Sequence, residues 1–223
     1  MPDDKAIIHL TRAYGLIKEV EAATESFRRQ VIAHAEQSDS DEPFLKGMIH
    51  TVKGQRDLKQ QKGALASDLD LAEQEIMRAA SLNPEASIET KDGPEDEVRL
   101  KCSIAILRGN IEMIWGRAAD AIGYFQASRA LIESAQANYM LGMIYESERS
   151  HTEALSYYER CLELEPVGEY SVSALRASNA IRTNKVNKSS GKGKRFQGSW
   201  IILLILFVLF FPAAILYFFV KRK

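Results

Sequence analysis

The sequence predicts an all-α fold: a solenoid of helical hairpins with an N-terminal helical arm and one C-terminal transmembrane helix. Three observations carry this reading. A set of small and aromatic residues recurs at a shift of 33 positions, which is the mark of a repeated supersecondary unit. Apolar residues spaced by three and four begin near the N-terminus. A late stretch without charge is long enough to cross a bilayer.

The elements follow in order. Leu10, Tyr14, Ile17, Val20, Phe27, Val31 and Ala35 put one apolar stripe on a long helix over about residues 4–36. SDSDEP (38–43) breaks it and offers caps for a second helix, on which Phe44, Met48 and Val52 continue the apolar face. Residues 1–51 therefore form a helical arm that can pack on the body, extend it, or associate with another chain. In 52–85, Ala72, Ile76, Ala79 and Pro84 are spaced four, three and five apart, a pattern that returns further on. A hairpin with its first helix at about 53–66 and its second at 71–84 is expected there. Residues 86–101 are acidic, carry Gly93 and Pro94, and read as a surface loop.

The repeat is clearest after that loop. Gly109, Ala121, Phe125 and Ser128 return as Gly142, Ala154, Tyr158 and Cys161. Glycine and alanine at such intervals serve two helices that cross too closely for larger side chains. Tyr145 and Tyr158 are expected to fill the space between neighbouring hairpins, and Pro166 to stop the last helix. With Leu141, Gly142, Tyr145, Ala154, Tyr158, Cys161 and Pro166, residues 135–168 resemble the tetratricopeptide repeat. Residues 102–134 resemble it less fully, because Arg108 and Glu112 replace the usual leucine and tyrosine. Residues 52–85 are a degenerate copy, and 169–184 read as a helix capping the open end.

The resemblance implies a groove lined by first helices. Carrying the pattern over by position places Ile106, Asn110 and Met113 there in one repeat, and Gln136, Tyr139, Met140 and Met143 in the next. Such a groove would be largely apolar and suited to a helical or extended apolar segment of a partner protein. A subset of the family grips terminal carboxylates with lysine, asparagine and arginine. The matching positions here are Asp57, Leu107, Gln136 and Met140, with Asn110 alone agreeing, so no carboxylate clamp is expected.

Residues 200–220, WIILLILFVLFFPAAILYFFV, hold no charge. Some 20 helical residues cover about 30 Å of hydrocarbon, and Trp200 and Tyr217 suit the two interfaces. Residues 185–199 read as a basic flexible tether, with Lys188, Lys192, Lys194 and Arg195 available to an anionic membrane surface. Lys221, Arg222 and Lys223 follow the span. Basic residues before the span keep the N-terminal body in the cytosol by the positive-inside tendency. The layout resembles the tail-anchored class and, in architecture, the mitochondrial and peroxisomal fission adaptor family. Mitochondrial outer membrane, peroxisome, endoplasmic reticulum and a bacterial inner membrane all fit this pattern.

Charge and composition exclude several classes. The net charge of −1 joins two unlike parts: residues 185–223 hold eight basic residues and no acidic one, leaving 1–184 at about −9. A nucleic-acid binder shows a basic body instead. Cys102 and Cys161 form no metal-binding or redox pair. His9, His34, His50 and His151 have no metal spacing, GKGK (191–194) lacks the phosphate-loop pattern, and no nucleophile elbow is present. No catalysis and no cofactor are expected. The function implied is a membrane-anchored adaptor or scaffold, with an organelle-fission receptor or a subunit of a larger membrane complex as alternatives.

Overall fold

The computed structural model describes residues 2–36 and 56–192, and these are mostly helical. Helix α1 spans Pro2–Glu36 and α2 spans Arg56–Leu82. Strands β1 (Ser87–Thr90) and β2 (Gly93–Asp96) follow, then α3 (Glu97–Ile114), α4 (Ala118–Leu131), α5 (Ala135–Ser147), α6 (His151–Leu164) and α7 (Glu169–Lys192). The expected arm helix bearing Phe44, Met48 and Val52 lies outside the described residues, as do Lys194, Arg195 and the span 200–220. Among the described residues no helix is long and apolar enough to cross a membrane.

The first correction concerns residues 52–85. The described part, from Arg56, holds one helix and not a hairpin. Nothing in ALASDLDLA (64–72) breaks a helix, and Leu58, Leu65, Leu69, Ala72, Ile76 and Ala79 make a single buried stripe along α2. That stripe packs on Ala6, Leu10, Ala13, Ile17 and Val20 of α1. The pair is antiparallel: Asn83 donates to Asp3 at 2.9 Å, His9 meets Glu75 at 2.6 Å, and Phe27 shares a cluster with Leu58. The arm helix thus supplies the first helix that this hairpin needs. Within it, Glu75 is buried; His9, and then Arg78 at 2.5 Å, hold its carboxyl below the usual range against the cost of burial.

The second correction concerns residues 86–101, expected to be a loop. They form an antiparallel β-hairpin with Thr90 opposite Gly93, and then the first turn of α3. Lys91 and Asp92 make the two-residue connection, and Gly93 just after it takes φ +117°, a conformation that favours glycine. Ile88 and Ala86 turn inward and join the core shared by α1, α2 and α3. The Asp96 side chain caps α3 by accepting from the Arg99 amide at 2.9 Å.

The two later hairpins share one interior. A Cβ on Gly109 would stand 2.7 Å from the Phe125 ring, and one on Gly142 would stand 2.5 Å from the Tyr158 ring. Each glycine therefore lets an aromatic of the second helix lie against the backbone of the first. Tyr158 does this within its own hairpin rather than between hairpins, and its hydroxyl donates to Glu146 at 2.7 Å. Ala121, Ala154, Ser128 and Cys161 are fully buried beside these rings.

Helix α7 continues to Lys192, through the first eight residues of the expected tether. No glycine or proline interrupts it before Gly191. Lys188 and Lys192 therefore stand on helical backbone. By contact pattern, the described residues up to Ser178 make one compact unit and those from Asn179 belong to another.

Candidate functional site

A cleft of about 500 Å³ opens in the larger unit. Its walls come from α1, α3, α5 and α7, with Glu95 added from β2. None of α2, α4 or α6 contributes. Helices α1, α3 and α5 are the first helices of three successive hairpins and α7 follows them in sequence, so no second helix of a hairpin reaches the cleft.

Five of the seven expected groove residues line it: Ile106, Asn110 and Met113 on α3, Gln136 and Met140 on α5. Residues three and seven apart along α3 fall on one helical face, which is why Ser103, Ile106, Asn110 and Met113 arrive together. Tyr139 and Met143 do not line the cleft. The Tyr139 ring centroid lies 5.9 Å from that of Tyr158 and 5.7 Å from that of Tyr170, so the last helix takes this side chain. Met143 is half-buried against the α4–α5 core. Tyr170 lines the cleft itself.

The opposite wall was absent from the sequence expectation. Tyr14, Ile17, Lys18, Glu21, Glu25 and Arg28 follow one face of α1. The cleft therefore pairs a mainly apolar α3–α5 wall with a charged α1 wall. Lys18 donates to Glu21 at 3.0 Å and lies 3.8 Å from Asp92, and Arg28 lies 3.9 Å from Glu25. The Lys18–Glu21 hydrogen bond, against some burial, raises the Lys18 pKa. Glu95 makes no ion pair among the described residues; partial burial raises its carboxyl pKa, moderated by the fields of Arg99 and Lys18. Two polar atoms on the walls lack partners: the hydroxyl of Thr24, a residue only 5% exposed, and Oδ1 of Asn110. A charged stripe recurring at three and four beside the apolar stripe of α1 was the one available signal for this wall.

Arg108 and Glu112, which depart from the repeat pattern, find their reason here. Arg108 Nη2 reaches Asp70 and Glu73 of α2, each at 2.7 Å. Glu112 accepts from Lys62 of α2 at 2.7 Å, and the ammonium stands 5.2 Å from the Trp115 ring centroid. Ion pairs thus join α3 to its neighbour where the second repeat uses leucine and tyrosine.

The position equivalent to a clamp asparagine, Asn110, is in the cleft, but its companions Leu107, Gln136 and Met140 carry no charge. Among the described residues no group of three metal-capable side chains converges. Residues 135–167 match the family model for the tetratricopeptide repeat. A tetratricopeptide repeat is a class of module that binds proteins. No curated protein matches the chain, and nothing supports the expected resemblance to the fission adaptor family.

Proposed function

We propose that this chain is a non-enzymatic adaptor, held at a membrane surface by residues 200–220, whose cleft grips a segment of a partner protein. The observation that carries the reading is the origin of the cleft: the first helices α1, α3 and α5 of successive hairpins make its walls together with α7 and Glu95, and no second helix does. A repeat match at 135–167 agrees with it. The anchor reading comes from the uncharged sequence of 200–220 and the basic residues on both sides. Lys188, Lys192, Lys194 and Arg195 lie beside the membrane, with the acidic body on the cytosolic side. Confinement to a surface raises the partner's effective concentration, so a cleft of modest affinity suffices.

The test places a photo-crosslinking residue at Gln136 in the full chain, expressed in membranes. The expected result is a discrete protein adduct that disappears on Met113→Glu with Met140→Glu, while the chain still sediments with membranes. An adduct that survives those charges removes the cleft from the proposal. A full-length chain found in the soluble fraction removes the anchor. An N-terminal fluorescent tag then identifies the membrane.

A further inference from the structure

The cleft's charges are unbalanced. Its lining holds three carboxylates, Glu21, Glu25 and Glu95, against two cations, Lys18 and Arg28. Lys18 is also shared with Asp92, which stands outside the lining at 3.8 Å. Glu95 is half-buried and has no ion-pair partner among the described residues. A part-buried carboxylate without a partner is stabilised when a cation arrives. Body charge adds a longer-range pull, since residues 1–184 carry about −9.

The apolar wall sets the other half of the requirement. Ile106 and Met113 lie two turns apart on α3, and Met140 faces them from α5. Met113 and Met140 adapt to varied side chains.

From this geometry we infer that the cleft's occupant is a basic, amphipathic segment of a partner protein. It lays apolar side chains on Ile106, Met113 and Met140 and brings a lysine or arginine to Glu95. This rests on the adaptor reading above and names its ligand class. An acidic tail is disfavoured, because Lys18 and Arg28 already have carboxylate partners and a third carboxylate waits at the mouth.

The test uses the full chain in lipid nanodiscs and three fluorescent helical peptides. All three share one apolar face and differ only in carrying lysine, glutamine or glutamate on the polar face. Anisotropy is expected to show the lysine peptide binding about tenfold more tightly than the glutamate peptide. That preference should shrink as salt rises. Glu95→Gln should remove most of the preference by weakening the lysine peptide far more than the glutamine peptide. Equal or tighter binding of the glutamate peptide overturns the inference and leaves the adaptor reading standing. So does a lysine preference untouched by Glu95→Gln, which places it on the general acidic surface. Failure of all three peptides sinks the cleft reading as well. A dimer that excludes them assigns the cleft to a second copy and likewise overturns the inference.

Discussion

The two hairpins α3–α4 and α5–α6 share an interior but differ at their edges. Gly109 under Phe125 and Gly142 under Tyr158 are the same device. The turns match bond for bond: Gly116 N–H donates to Met113 and Arg117 N–H to Glu112, while Arg149 N–H donates to Glu146 and Ser150 N–H to Tyr145. This paired arrangement ends a helix through a left-handed residue. The first copy fills that position with Gly116 at φ 76°, the second with Arg149 at φ 63°. At the edges, Arg108 and Glu112 reach across to charges on α2, whereas Leu141 is fully buried and Tyr145 stacks on Tyr157 at 5.3 Å. Constraint lies where two backbones touch. Outward positions follow whichever neighbour is present.

The strongest test of the shared interior is truncation. Phe125→Ala and Tyr158→Ala should each cost about 3–5 kcal/mol, read by thermal or denaturant unfolding of the full chain. A large difference between them would break the equivalence. Next come Gly109→Ala and Gly142→Ala, each expected to cost about 1–3 kcal/mol by overpacking. At the edges the copies should part. Glu112→Gln leaves Lys62 without its carboxylate and should cost about 1–2 kcal/mol, whereas Tyr145→Phe should stay within about 0.5 kcal/mol.

Two smaller effects sharpen the comparison. Arg149→Gly relieves a left-handed residue and should stabilise by about 1 kcal/mol, while Gly116→Ala should do the reverse. The last effect is pH dependence at the α4–α6 edge. Hydrogen bonds from Arg160 and then Arg129 lower the Glu133 pKa from 4.5 to about 2. A depressed carboxyl contributes stability that is present above its ordinary pKa and lost as pH falls through the folded value. Stability attributable to Glu133 should therefore fade from about pH 4.5 towards 2. Comparing unfolding of the native chain with Glu133→Gln across that range checks the sign.

The repeat was legible because glycine and aromatic residues meet at one point per hairpin, leaving a fixed interval in the sequence. The α1–α2 pair hides the same architecture. Its close approach is spread over Ala6, Ala13, Ala72 and Ala79, and alanine at helical spacing distinguishes no particular crossing. Ala72, Ile76 and Ala79 show second-helix spacing in the sequence, but the helix they pack on lies far back in α1. The charged wall of the cleft was lost with it. Tyr139 and Met143 share a repeat with residues that do line the cleft, yet the sequence did not reveal that α7 would claim Tyr139 with Tyr170. Gly93 marks the turn, but the strands on either side are four residues each, too short to establish alternation.

That short strand pair has a consequence beyond its size. β1 leans on α1 and β2 on α3, and Ile88 sinks into the core between them. The two walls of the cleft are thus spaced at one end by a splint lying outside the repeated unit. Related chains could widen or narrow the opening by lengthening ten residues, with every helix crossing left as it is.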